Sequence, residues 1–524
     1  MGTINKVIEI KPNDVQFMMD RHQYPADIRK NIENENLLPT GLLARLHNAY
    51  PQHSGIMENE PFIFTEKHHY GGINGFREIN QILLKNGINI GYIEERELFI
   101  HVYRFLATKH VLNSINWKNF EKDSLFQLVF PQPGMIAPET TKAYLAATSD
   151  KEREQIIQAH MDKTNPHDGK QKLNKPFYIN EDGGMEVVEG SQHKYPQCEL
   201  IFDQSTQSCF AFCTYCFRHA QVRGDEDMFI QRDIDQVHGY LRRHKEVSDV
   251  LLTGGDGAYM PFDRLEKYAR PLVEDSELSH IKTLRIGSRA LSFHPELVLA
   301  DDYNKYLELY RYLLDNGIQV VWMGHFSTPR ELLNTSTIAA VRRLRATGVT
   351  IKSQSPVMNH ISLFTDESGK VDIDRSAQNW IDLGNVLAML TVGFHSMYCA
   401  RPTGEHHYFT VPLAELNQVF SKVYRSLASI NRPSRYITMT SSAGKTSMLG
   451  VAEINGEKVF ALKFNESRNM EWMDKVFLAK YDEKENTIEK LKPYAADKHF
   501  YEDELKEIEN NLEEAFLKKV KSTH

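Results

Sequence analysis

Cysteine is scarce in this chain: five in 524 residues, at positions 198, 209, 213, 216 and 399. That is too few for a disulfide-built fold. Long apolar runs are missing as well. No stretch of about 18 apolar residues occurs, which excludes an ordinary membrane-spanning helix. Met1 to Gln16 is polar and mixed and has no apolar core like that of a secretory signal, so a cytoplasmic location is expected. There is no excess of positive charge. Lys plus Arg is 62 and Asp plus Glu is 70, giving a net charge of −8. The broad basic footprint of a nucleic-acid binder is therefore absent, and small-molecule chemistry is the expectation. No internal repeat or low-complexity tract is found. What remains is an ordinary globular composition, 41% apolar and 25% charged. The chain is too long for one core, so two or three structural units are expected.

Residues 1–116 read as mainly helical, with helices over Leu42–Ala49, Gly75–Lys85 and Glu95–Lys109, and carry no chemical motif. Residues 117–197 lead into the core, and the charged segment Asp150–Lys175 reads as a surface excursion. From Cys198 the pattern changes. Short β-rich runs appear at Leu200–Asp203, Asp249–Thr253, Ile281–Gly287, Ile318–Met323, Val349–Gln354 and Thr391–Tyr398. Amphipathic stretches separate them, at Asp233–Glu246, Phe262–Glu274, Asp302–Asn316, Pro329–Thr347 and Asp374–Met389. Strands alternating with helices predict parallel βαβ units. The α/β fold expected is a partial (β/α)6 TIM-like barrel over 198–400, followed by a C-terminal region, 401–524, ending in a charged helix. Chemistry in such a barrel sits at the C-terminal strand ends. The unusual sequences fall there: the cysteine loop after the first run, then Gly254-Gly255-Asp256, Arg285-Ile286-Gly287-Ser288-Arg289, Gly324-His325-Phe326 and Gln354-Ser355.

The cysteine loop reads Cys209-Phe-Ala-Phe-Cys213-Thr-Tyr-Cys216. A loop this compact can place three thiolates on three corners of a cubane iron–sulfur cluster. The fourth iron then lacks a cysteine and can chelate a small molecule and pass it an electron. A zinc site using His219 as fourth ligand, or three incidental buried thiols, are the competing readings. Cys399, in an apolar run, reads as a buried small hydrophobe.

This loop, with Tyr215 before its last cysteine, resembles that of the radical S-adenosylmethionine (SAM) superfamily. The resemblance implies a [4Fe–4S] cluster on Cys209, Cys213 and Cys216, and a 5′-deoxyadenosyl radical made from SAM. It also implies a SAM site at Gly254, Gly255, Asp256, Ser288, Arg289, His325 and Gln354. Within that superfamily the chain is most similar to the lysine 2,3-aminomutase-like family, over roughly Trp117 to Gly450. Gly190-Ser-Gln-His193-Lys194-Tyr195-Pro196 and Ser442-Ala443-Gly444-Lys445 carry that likeness. It implies pyridoxal 5′-phosphate (PLP) as second cofactor, with Lys445 as its Schiff-base lysine and Lys194 and Tyr195 at its phosphate. Arg218 matches the arginine for the substrate carboxylate. An amino-acid-like small molecule, a flavodoxin or ferredoxin as electron donor, and self-association complete the implied partners.

The sequence departs from the family in three places. A phosphate-binding arginine of the family aligns with Cys198. The positions of two aspartates that hold the distal ammonium of lysine hold Arg401 and Thr438, which points to a non-lysine, acidic substrate bound at Arg401. No cysteine follows Cys399, so the family's zinc-binding tail, and the oligomer it supports, are not expected. The alternatives are a radical SAM enzyme without PLP, acting on another small molecule or a peptide, and a non-catalytic iron–sulfur protein.

Overall fold

The computed structural model describes residues 7–164, 171–223 and 228–522. Its centre is an eleven-stranded mixed sheet whose spatial order follows the chain. The strands are β1 (Ser191–Tyr195), β2 (Cys198–Phe202), β3 (Asp249–Thr253), β4 (Thr283–Ser288), β5 (Gln319–Gly324), β6 (Thr350–Val357), β7 (Gly393–Cys399), β8 (Thr438–Thr440), β9 (Gly444–Ile454), β10 (Glu457–Ser467) and β11 (Val476–Lys480). β1 runs antiparallel to β2. From β2 to β8 every neighbour is parallel. β8 to β11 form an antiparallel meander.

Each parallel crossover carries a helix: α1 (Ile234–Arg243), α2 (Phe262–Ala269), α3 (Asn304–Asp315), α4 (Thr335–Ala346), α5 (Ile373–Met389) and α6 (Leu413–Ser426). α1 illustrates why. Asp233 caps its first turn, accepting from the amides of Asp235 and Gln236, and Ile234, Val237, Tyr240 and Leu241 form the buried stripe. Two expected helices are broken. The helix expected over Phe262–Glu274 stops at Ala269, and a fresh turn starts at Pro271, which has no amide hydrogen to donate. The one expected over Pro329–Thr347 is a 3₁₀ turn, Pro329–Glu331, followed by α4, whose start Asn334 caps through the Thr337 amide.

The N-terminal part is helical as expected at Thr40–Ala49 and Gly72–Lys85. The helix expected over Glu95–Lys109 instead ends at Val102. Leu106–Thr108 turns into a strand pairing with His69–Gly71. That pairing has a use: the Phe212 amide of the cysteine loop donates to Leu106 O at 2.8 Å, and the Thr214 amide to Leu128 O at 2.9 Å. The N-terminal unit thus braces the cysteine loop. The surface excursion expected at Asp150–Lys175 also needs correcting. Asp150–Thr164 is a helix, and His160 is buried with Nε2 2.5 Å from Glu405 Oε1, because that buried carboxylate needs partners. Residues 165–170 of it lie outside the described residues. The tail helix spans Glu502–Ser522. Among the described residues no helix is long and apolar enough to cross a membrane.

Glu199 in β2 is fully buried, on the face opposite its neighbours Cys198 and Leu200, which line a cavity. Burial pushes its carboxyl up to about 8, partly relieved by the Ser191 hydroxyl. The unfolded chain loses this proton near 4.5 and the folded chain only near 8, so stability falls as pH rises between those values. Glu199→Gln is expected to raise the melting temperature by a few degrees at about pH 8 and to change little at about pH 5. An equal shift at both pH values in thermal melts would contradict this.

Candidate active site

The register of the parallel strands brings their C-terminal ends to one edge: Phe202 pairs with Thr253, and Ser288 with Gly324. A cavity opens there and runs along the inner face of the sheet to β1 and β9. Most residues singled out from the sequence line it: the three cysteines, Gly254 to Asp256, Ser288, Arg289, His325, Gln354, Lys194, Tyr195, Arg218, Arg401 and Lys445. Cys198 and Cys399 reach it too.

The cysteine loop folds on itself through the Cys216 amide, which donates to Cys213 O at 3.0 Å. Burial raises all three thiols; neighbouring cysteines add to it at Cys209 and Cys216, the latter pushed up to about 12, while Arg289 partly offsets it at Cys213. They are neutral until a metal displaces their protons. His219, the expected fourth ligand of a zinc site, does not line the cavity; its ring packs edge-on against Tyr103, 5.1 Å between centroids. The donor set therefore fits a three-cysteine cluster better than a zinc ion.

The glycine turn has a tighter reason than ligand approach alone. Gly254 has φ 131°, and a Cβ on Gly255 would lie 2.5 Å from Ser208 O and 3.0 Å from Cys209 Sγ. The turn is thus packed directly under the cysteine loop, and only glycine fits. Asp256 is buried and spans two strand ends, accepting from the Ala258 amide at 2.9 Å and the Arg289 amide at 2.8 Å. Burial raises its carboxyl to about 6. Ser288 Oγ caps the next turn through the Ala290 amide. Arg289 ties the cysteine loop to the strand ends, donating to Tyr215 OH at 2.6 Å, Glu331 Oε1 at 2.5 Å and Cys213 Sγ at 3.6 Å. His325 is half-buried beside Arg289 and Arg218, and desolvation first, then those charges, drop its imidazole to about 3, so it is neutral. A register shift between Ser353 and Gln354 in the β6–β7 ladder re-aims Gln354.

Deeper in the cavity the charge is positive. Lys194, from β1, donates to Ser441 O in the turn before β9, so the first and ninth strands meet across the cavity. Lys445, on β9, pairs with Glu466 on β10 and lies 4.9 Å from the Tyr195 ring centroid. Burial opposes the Lys445 charge, but Tyr398, Glu466 and Tyr195 outweigh it and hold the ammonium above its usual range. Burial likewise opposes the Glu466 charge, and Lys445 and Arg435 hold this carboxyl at about 2. Arg218 donates to Thr253 Oγ1 at 3.0 Å and stacks on Phe202, 4.6 Å from its centroid. Burial, then repulsion from Arg401, brings its guanidinium down to about 10. Burial also lowers Arg401. Asp256 is the one carboxylate among the described lining residues. Thr438 is fully buried and away from the cavity, its hydroxyl 2.8 Å from Tyr436 O; Thr440, two residues on, lines the wall instead.

Sequence reasoning missed Glu331 and Glu466, and marked Arg285 only as part of a strand-end motif, with no role of its own. Each acts through a partner far along the chain. The alternation of β9 and β10 around Asn455-Gly456, a left-handed pair with φ 51° and 80°, is a hairpin signal that could have exposed the Lys445–Glu466 pairing.

A parallel α/β sheet with a three-thiol loop after its first parallel strand and a half-buried lysine in the same cavity offers donors for a metal cluster and for a second group. No family model matches the chain. Curated relatives do. Over 264 residues, half of this chain and 65% of the relative, it is 30% identical to a protein of Aquifex aeolicus (strain VF5) named "Putative L-lysine 2,3-aminomutase". It is 30% identical over 176 residues to L-lysine 2,3-aminomutase of Clostridium subterminale, covering 33% of this chain and 39% of the relative. It is 29% identical over 174 residues to glutamate 2,3-aminomutase of Clostridioides difficile (strain 630), covering 32% and 37%. The chain thus spans less than two thirds of the length of these relatives. Its curated similarity is to lysine and glutamate 2,3-aminomutases, over part of their length.

Proposed function

We propose that this chain is a radical SAM isomerase that moves an amino group between adjacent carbons of an amino acid with an acidic side chain. The observation that carries this is the shared cavity, lined by the three loop thiols, Lys445, Arg218 and Arg401 among others. The finer reading of the sheet is a partial (β/α)6 barrel over 198–400, supported by the unbroken parallel order and by the Lys194–Ser441 bond.

Cys209, Cys213 and Cys216 would hold the [4Fe–4S] cluster. Ser288, Arg289, His325 and Gln354 line the wall where SAM would lie. Lys445, Lys194 and Tyr195 would hold PLP. Bound there, the cluster and SAM supply the hydrogen-abstracting radical, and PLP supplies the ring that carries the migrating amino group. The rest is work for the chain. Arg218 can clamp a carboxylate with its fork, and Arg401 a second one. The glycine turn and N-terminal braces fix the cysteine loop, and neutral His325 adds no charge to the cationic wall. The ion pair with Glu466 keeps Lys445 Nζ protonated, so PLP capture is expected to quicken as pH rises. A flavodoxin or ferredoxin is the proposed electron source.

Lysine as substrate fits poorly. A distal ammonium would meet Arg401, and the sole lining carboxylate, Asp256, is already engaged by two amides. The test of the PLP assignment is borohydride reduction of the PLP-loaded protein, followed by peptide mass mapping. Wild type is expected to carry the label on Lys445, and Lys445→Ala to carry none. Equal PLP binding without Lys445 would sink the assignment. The altered position 198 would then favour a radical SAM enzyme working without PLP.

A further inference from the structure

Cys198 stands where relatives are expected to carry an arginine for the PLP phosphate. The cavity is nonetheless not short of a guanidinium at that place. Arg285, on β4, reaches over β3 to β2. Its Nε donates to Asp249 Oδ1 at 2.7 Å and its Nη2 to Cys198 Sγ at 2.8 Å. Both Arg285 and Cys198 line the cavity.

An arginine has five N–H donors, and only two are spent in these bonds. One of them goes to a thiol, a weak acceptor. Burial pushes that thiol up to about 12, so it stays neutral and does not balance the guanidinium. Asp249 anchors Nε and so fixes the direction of the fork. A largely buried cation with donors in hand and a weak acceptor at its tip suits an oxyanion with several lone pairs, which a phosphate monoester offers and an amino acid's single carboxylate offers less fully. Two lysines line the cavity with it: Lys194, four residues before Cys198 on the adjoining strand, and Lys445, whose charge acts on Cys198 and Asp249.

We infer that Arg285 is the phosphate-binding arginine of this cavity, acting with Lys194 and replacing across two strands the group that position 198 lacks. The inference rests on the PLP reading above. It makes the change at position 198 a relocation of the phosphate site rather than its loss.

The test compares equilibrium binding of PLP and of pyridoxal, which lacks the phosphate, by absorbance titration of the purified full chain. Wild type is expected to prefer PLP. Arg285→Gln is expected to weaken PLP binding about 10- to 100-fold, the range for losing a charge-assisted hydrogen bond, and to leave pyridoxal binding unchanged. Arg285→Lys, which keeps the charge and the pair with Asp249, is expected to lose part of the preference and serves if Arg285→Gln fails to fold. Adding Cys198→Arg to Arg285→Gln is expected to restore it. A merely structural role for Arg285 would weaken both ligands together. An Arg285→Gln protein with the wild-type ratio of PLP to pyridoxal affinity overturns the inference alone. A wild type that binds neither ligand overturns the PLP reading along with it.

Discussion

Alanine at any one of Cys209, Cys213 or Cys216 is expected to drop iron and sulfide content after anaerobic reconstitution to background, and with it SAM-dependent release of 5′-deoxyadenosine. The effect should be near total because the loop offers no substitute. His219 is committed to the Tyr103 contact and lies off the cavity wall. Cys198 is engaged by Arg285 on another strand. The three thiols are raised by burial, so they pay their deprotonation only against a metal that all three share. Cys399→Ala provides the control, since its sulfur belongs to β7 rather than to the loop; it is expected to load a full cluster. Retention of wild-type iron by any of the three loop variants would refute the assignment. So would zinc in stoichiometric amount after purification under metal-limited, anaerobic conditions.

Arg401→Ala is expected to lower kcat/KM for an acidic amino acid by about 100-fold, with a far smaller effect on a neutral one of similar size. The physical basis is the pair it forms with Arg218. Arg218 and Arg401 line the same cavity, and Arg401 is among the causes that bring Arg218 down to about 10. A ligand with two carboxylates relieves that repulsion and satisfies both forks at once. A ligand with a distal ammonium adds a third positive charge. Removing Arg401 should therefore cost the diacid most and lift Arg218 back towards its ordinary range. A screen of amino acids by mass spectrometry in deuterated buffer reads this directly. If wild type turns over lysine faster than any acidic amino acid, or if Arg401→Ala leaves the ranking unchanged, the acidic-substrate reading falls.

The parallel strands were legible because each is a short apolar run bounded by glycine or polar residues, and Asp249–Thr253 coincides with β3 at both ends. The cysteine loop and glycine turn were legible because their residues are close in sequence. The rest depended on partners that are not. Helix-like periodicity over Glu95–Lys109 gave way to a strand because Leu106 had both a partner, Gly71, and a client, the Phe212 amide. The antiparallel meander after Thr438 escaped because its strands are lysine- and glutamate-rich on their exposed face. What identifies Glu466 is its register opposite Lys445, a property of the pairing rather than of either residue. Arg285 looked like one more residue of a strand end until its side chain was seen crossing β3.

The bond from Lys194 to Ser441 has a consequence for how the molecule can be divided. The cavity's first wall is laid down at β1 and its last at β9 and β10, some 250 residues later in the chain. A chain cut before Gly444 would still contain all three loop thiols, the glycine turn, the turn capped by Ser288 and Arg218. It would have lost Lys445, its counter-ion and one complete side of the chamber. Synthesis from the ribosome therefore finishes the thiol-bearing half of the cavity long before the half that encloses it.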